Sequence, residues 1–512
     1  MKKTTIKKWA KRFGISVFIL SIVAYFYVDY QINHLWGAHT KVVEHNQFNV
    51  PQENTIITNV NILSQDGKQM IADQTVIIEK GVITPIGSDI KTSKASLIID
   101  GKGKYLIPGL IDSHIHLWQS PNDLLLYIAN GVTQIRELNG SKLHLKWREE
   151  IKAGRIGPKM FVASSRVNSN GIFASWFQKW AIKITSINSF NDAKSIVQSN
   201  IEAGYDAIKT YTFINNKDYW SLNKAAKEAG IPLLGHTPIG MTLKEVWTSD
   251  QKELAHIEEL VKALIREFDG FDGFNDKTSH EFLDFVQQRS GEIADNLLKH
   301  NIAVVSTLWL TESFAKQKED LDKMLNRVEL VYANPGITEL SPITSRAMGW
   351  LPEANIYRLG NDVTPEKKKR YLTYWNAYAQ AHQILLKAMV EKQVIILAGT
   401  DANVPVAVPG FSLHDELISL TQSGMDNTQA LLSASKAPAN WMKQKSGIVK
   451  QGYRADLILL NKNPLNNIKN TKSINTVILN GKVLNRQKLD AILSAVKSAN
   501  DESRRVDISG LQ

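Results

Sequence analysis

The stretch Pro108-Gly109-Leu110-Ile111-Asp112-Ser113-His114-Ile115-His116 joins a turn signal, an apolar strand start and two histidines two residues apart. Side chains of a strand alternate between faces, so His114 and His116 point the same way. Neutral imidazole is the commonest metal ligand among side chains. The pair therefore reads either as part of a metal site or as packing between strands. What decides between them is whether the arrangement recurs.

Working outward from this stretch, short β-like runs alternate with helical patterns. The runs are 110–116, 132–137, 160–165, 207–211, 233–237, 253–257, 303–308 and 394–401. Eight runs, each with room for a helix after it, predict an α/β fold, the (β/α)8 TIM barrel. His236 ends the fifth run in LLGHT, His256 the sixth in ELAHI, and Asp401 the eighth in IILAGTD. Barrel enzymes build their sites at these C-terminal strand ends. Five polar residues converging in an apolar interior need a counter-charge, which a metal centre supplies. Lys209 stands near the end of the fourth run, in AIKTYT. An ammonium cannot ligate a cation. Lys209 is then either an ion-pair partner for Asp401 or, after reaction with carbon dioxide, an anionic carbamate able to bridge two metals.

One helix is explicit. Thr364 can cap it and Pro365 fits its first turn, while Tyr371, Trp375, Tyr378, His382, Leu385 and Met389 form an i, i+3/i+4 stripe. His382 on that stripe reads as packed. After the seventh run, residues 314–362 exceed what a barrel loop needs and read as a lid or as decoration. The oxygen-rich loop 268–276 lacks the spacing of a calcium loop and reads as ordinary.

The flanks are β-rich: 55–107 before the barrel and 447–488 behind it, which predicts one small β-sandwich domain built from both ends. The barrel with its insertion spans 108–446, and 489–512 is a tail. The first 12 residues carry Lys2, Lys3, Lys7, Lys8, Lys11 and Arg12, and the uncharged run FGISVFILSIVAYFYV follows at 13–28. A basic block before a terminal apolar run predicts a transmembrane anchor over 13–30, with the catalytic part on the periplasmic or extracellular side. The alternative is a cleaved signal peptide and a secreted enzyme. Residues 31–54 read as a linker, a polar stalk whose His34, His39 and His45 face solvent.

Of the net charge of +11, the six terminal cations leave +5 (+11 less six) spread over the rest. That excludes a nucleic-acid-binding face. With no cysteine in the chain, thiolate catalysis and disulfides are excluded. Nothing fixes an oligomeric state.

PGLIDSHIH, GYDAIKTY, the histidines of LLGHT and ELAHI, and LAGTD stand in the order used by the amidohydrolase superfamily. The chain resembles its imidazolonepropionase-like and prolidase-like branch. GVTQIRELNG, AGRIGPKM and the C-terminal GIVKQGYRADLILLNKNP with VILNGKVL resemble it too, so the likeness covers about residues 55–484. It implies a binuclear site of two divalent ions. His114, His116 and Asp401 hold the more buried ion, His236 and His256 the other, and carboxylated Lys209 bridges them. Zinc is the commonest ion in such relatives, though imidazole and carboxylate do not select it over manganese or cobalt.

The implied reaction is hydrolysis of an amide, cyclic amide or dipeptide C–N bond by a metal-activated hydroxide, with Asp401 moving the proton. Tyr211, Arg136 and His414 are the substrate-contact candidates, for a small amide or dipeptide-like molecule. A mononuclear ring-opening hydrolase or deaminase, with Lys209 uncarboxylated, is one rival. A non-catalytic membrane-tethered binding protein is another, and six filled ligand positions weigh against it.

Overall fold

The structure is a computed structural model and describes residues 2–88, 97–268, 275–344 and 349–511. Most of the oxygen-rich loop at 268–276 therefore lies outside the described residues.

Strands from both ends of the chain meet in one sheet. The N-terminal part supplies β1 (Thr55–Leu63), β2 (Met70–Glu79), β3 (Val82–Gly87), β4 (Leu97–Asp100) and β5 (Tyr105–Pro108). Here β5 runs parallel to β1 and antiparallel to Leu457–Leu460, with Ile107 opposite Ile458. The sheet encloses a small core of its own, with Ile57, Val60, Ile78, Leu106, Leu457 and Ile478 buried.

The chain then enters the barrel at β6 (Leu110–Ile115), followed by β7 (Val132–Glu137) and β8 (Lys159–Val162). Every residue of β6 and β7 is buried, as expected of parallel strands covered on both faces. A short parallel pair, β9 (Val167–Ser169) and β10 (Thr185–Ile187), follows and was not expected from the sequence. The barrel continues through β11 (Ile208–Thr210), β12 (Leu233–Gly235), β13 (Gln251–Leu254), β14 (Ala303–Val305) and β15 (Ile396–Leu397). Each pairs in parallel with the next. Bridges Ala163↔Ala207 and Ile115↔Ala402 join the two arcs into a closed ring. These are the eight expected barrel strands. The chain ends in β16 (Leu457–Leu460), β17 (Ile474–Leu479) and β18 (Lys482–Asn485), back in the first sheet.

The helix Pro365–Glu391 begins where Thr364 and Pro365 indicate, with the Lys367 amide donating to Thr364 Oγ1. Tyr378, His382, Leu385 and Met389 are buried along it, and Tyr371 stays partly exposed. Residues 308–338 form short helices, and Trp350 packs fully buried with Nε1 donating to the Asn403 carbonyl. The expected tail begins in a helix, Arg486–Ser503, that docks Leu489, Ile492, Val496 and Ala499 inward.

The linker reading of 31–54 is corrected. The N-terminal helix runs Lys2–Leu35, past the anchor bounds, and its end is bolted to the barrel. Gln119 donates from Nε2 to Asn33 Oδ1 and from its amide to the Trp36 carbonyl, and the Val43 amide donates to Asn122 Oδ1. His34 and His45 are buried, not solvent-facing. The segment lacks periodicity because each residue meets a different part of the barrel. Among the described residues, Lys7–Leu35 is the one helix long and apolar enough to cross a membrane.

Candidate metal centre

At the C-terminal ends of the barrel strands, His114 and His116 leave β6 and meet Asp401 across the closing seam. Asp401 Oδ1 lies 3.4 Å from His114 Nε2 and 3.0 Å from His116 Nε2. These three can hold a metal ion, their candidate atoms all lying within 4.8 Å of one another. The His256 ring stacks 4.5 Å from that of His114, and the His236 ring lies 4.9 Å from that of His256. Lys209, on β11, is fully buried. The six expected ligands are thus gathered on one face of the barrel.

Glycine permits this crowding. A Cβ on Gly235 would stand 2.3 Å from the Thr210 carbonyl oxygen and 2.9 Å from Lys209 Cδ. One on Gly399 would stand 2.9 Å from the His114 amide nitrogen. The glycines of LLGHT and LAGTD therefore let β11 against β12, and β15 against β6, approach where the ligands sit.

The fit to a cation is visible in what is left unpaired. His114 Nε2 is buried with no hydrogen-bond partner among the described residues, and so is Lys209 Nζ, which could face a cation only once carboxylated. Native interiors rarely leave such groups without a partner, protein or ligand. Three of the four histidines have their other nitrogen held. His114 Nδ1 faces the Ala255 carbonyl at 3.1 Å, His256 Nδ1 faces Thr307 Oγ1 at 2.9 Å, and His236 Nδ1 lies 2.9 Å from Glu259 Oε1. Bonds of that kind orient ligating imidazoles.

Burial pushes His256 down to about 3 and holds His236 low, so both are neutral imidazoles. Burial also lowers Lys209 to about 8, which brings the neutral amine within reach near neutral pH. Burial opposes ionising Asp401, but the nearby His116 outweighs it and holds the carboxyl well below the usual range. Lys209 and Asp401 attract each other electrostatically, but Lys209 Nζ makes no hydrogen bond to Asp401 among the described residues.

Two expected substrate contacts are corrected. Arg136 is fully buried, with Nη2 2.7 Å from Glu253 Oε2 and its guanidinium 4.3 Å from the Trp441 ring centre. It neutralises an acid inside the barrel and cannot reach a ligand. His414 is 1% exposed. Its Nδ1 faces Thr471 Oγ1 and its Nε2 the Asn130 carbonyl, so neither nitrogen is free. Tyr211 does lie at the site, its ring 4.6 Å from that of His236.

Sequence reasoning missed three neighbours. Glu137, the last residue of β7, lies 3.5 Å from His116 Nδ1. Glu259 accepts from the amide and hydroxyl of Thr237 beside its contact to His236. The Arg166 guanidinium lies 4.7 Å from the Tyr211 ring centre. Glu137 carried the signal applied to the other sites, a polar residue at a strand's C-terminal end. Glu259 and Arg166 lie in connecting segments, and no spacing marked them.

Residues 219–484 match the Amidohydrolase family. Over 493 residues the chain is 21% identical to a 5-methylthioadenosine/S-adenosylhomocysteine deaminase of Dictyoglomus turgidum, covering 88% of this chain and 97% of that protein. Among solved structures, a bottromycin amidohydrolase is similar with a TM-score of 0.67 at 21% identity, covering 92% of this chain and 96% of the other. A putative prolidase from Bifidobacterium longum is similar with a TM-score of 0.59 at 19% identity, covering 87% and 99%. The two structural likenesses speak for the fold.

Proposed function

The chain belongs to the amidohydrolase family and is a hydrolase acting on carbon–nitrogen bonds; from that premise we propose that its barrel mouth cleaves a small amide, cyclic amide or dipeptide at a centre of two divalent ions. His114, His116 and Asp401 would hold one ion, His236 and His256 the other, and a carboxylated Lys209 would bridge them. The observation that carries this is the buried, unpartnered Lys209 amine among four histidines and a carboxylate. A permanently charged ammonium there would face heavy desolvation. Carbamate formation needs the neutral amine, and burial lowers the cost of reaching it.

When bound, the ions lower the pKa of a water towards about 7 and polarise the scissile carbonyl. The chain's own residues do the rest. Asp401, with its side chain 14% exposed, stands at the mouth and carries the proton from attacking water to leaving amine. Glu259 fixes the ring of His236, and Glu137 faces that of His116 as a counter-charge. Tyr211, with Arg166 over its ring, takes the positioning role expected of Arg136 and suits a substrate carboxylate. We also assign 55–107 and 447–488 to one domain, 108–446 to the catalytic barrel and the N-terminal helix to a membrane anchor. The anchor places the catalytic part on the non-cytoplasmic side.

One observation favours a second reading. The tightest ligand group is His114, His116 and Asp401 alone, which suits a mononuclear deaminase. Metal content of the full-length protein, with and without Lys209→Ala, separates the two. About two ions of a kind such as zinc, and a clear loss in the variant, support the binuclear centre. One ion, indifferent to Lys209, moves the deaminase to first place. A folded protein with no metal and no activity on amides would sink the mechanism.

A further inference from the structure

The helix Ile172–Ala181 follows β9, whose Val167 pairs with Thr210, next to Lys209 at the C-terminal end of β11. Phe173, Trp176, Phe177 and Trp180 stand at i, i+3, i+4 and i+7, so they share one face. Phe173 is 93% exposed, Trp176 65% and Phe177 54%. Two further apolar side chains continue the patch on neighbouring loops. Phe213 follows the Lys209 strand and its carbonyl accepts from the Ser169 amide; Ile239 follows the His236 strand and its amide donates to the Thr212 carbonyl. Both are more than half exposed. A soluble surface seldom gathers so many large apolar groups without a partner.

The patch is continuous with the candidate membrane helix. Trp180 stacks on Tyr25 with ring centres 5.4 Å apart and planes 16° apart, and its Nε1 donates to Asp29 Oδ1 at 2.8 Å. Trp36, just past the helix end, donates from Nε1 to the Ala181 carbonyl. Tyr25 lies near the outer end of the apolar run 13–28, at the level where tryptophan and tyrosine collect in bilayers. The aromatic face thus lies where the anchor leaves the membrane. The same joint reaches the metal ligands: the Trp36 ring is 4.3 Å from Trp118, which stacks 4.7 Å from His116.

We propose that the Ile172–Ala181 helix is a second membrane contact, lying in the lipid interface beside the anchor and turning the barrel mouth towards the bilayer. The substrate class that fits is an amphiphilic amide that partitions into the membrane and enters the mouth from the lipid side. Exposed Lys179, on the polar flank of the same helix, suits lipid phosphates. The contact stands on the anchor and the exposed face; the substrate class rests in addition on the hydrolase reading.

The absence of native cysteine makes the test clean. Phe173→Cys and, on the opposite end of the barrel, Lys299→Cys each carry one fluorophore in the full-length protein, reconstituted in phosphatidylcholine–phosphatidylglycerol vesicles. Quenching of the label at 173 by lipid-borne nitroxide, with the label at 299 reached only by aqueous iodide, is the expected result. Equal quenching of both by iodide overturns the contact. Shielding from iodide without nitroxide quenching, growing with protein concentration, would assign the face to a second copy and overturn it likewise.

The double variant Trp176→Ser/Phe177→Ser tests the substrate class. Turnover of a vesicle-borne acyl amide should fall about tenfold, and that of a water-soluble dipeptide should hold. An equal effect on both substrates overturns the substrate half. If the parent cleaves neither, the hydrolase reading fails while the labels still decide the contact.

Discussion

His45, His382 and His414 lie outside the candidate centre, and burial drives their pKa values down to about 4, 4 and 3. For His45 the geometry agrees: Nδ1 faces the Ile156 carbonyl and Nε2 faces Arg155, so the neutral ring uses both nitrogens. Unfolded histidines bind protons below about 6.5, and these folded ones refuse them. Stability therefore declines as pH falls from about 6.5 towards 4, by up to about 1.4 kcal/mol per unit for each such residue. Denaturant titrations across that window should show a shallower acid limb for His414→Gln. An unchanged slope would mean that His414 accepts its proton in the fold. Arg136 supports a second prediction. Arg136→Ala leaves Glu253 buried without its partner, and should cost about 3–5 kcal/mol of unfolding free energy in urea. Adding Glu253→Gln should recover part of it. The sequence showed Arg136 at a strand end but not which way it faced. A cation that fills the barrel interior and one that greets a substrate have the same period.

At the scale of elements, the legible ones carry their signals locally. The Pro365–Glu391 helix was readable because its cap, its proline and its stripe lie within 27 residues. The barrel strands were readable because apolar runs of the right length recur. The N-terminal 31–54 segment was not. Its order comes from contacts to Gln119, Asn122 and Ile156, between 79 and 111 residues away for the hydrogen bonds of Val43 and His45. The docking of the C-terminal helix was not readable for the same reason. Its apolar side is sparse and becomes meaningful only against the helix Asp123–Ala129 that covers it.

For the whole molecule, the ring closes where β6 meets the strand carrying Asp401, and the candidate ligands straddle that seam. A bound ion would tie first strand to last, so chelation of the full-length protein is expected to lower the melting temperature. The ligand-linked term is about 4 kcal/mol when metal exceeds its Kd a thousandfold. A scan unmoved by chelator and by added zinc would remove the seam from that role. By itself the sequence determined the barrel, the polar residues at its strand ends and the apolar N-terminal helix. Each is written in a local period or a short motif, and strand geometry turns period into direction. The tertiary structure alone decided that Arg136 and His414 are spoken for, that Glu259 and Arg166 join the site, and that the end of the N-terminal helix is fastened to the barrel. Those outcomes depend on which distant side chain arrives opposite, and no local pattern encodes a partner that far along the chain.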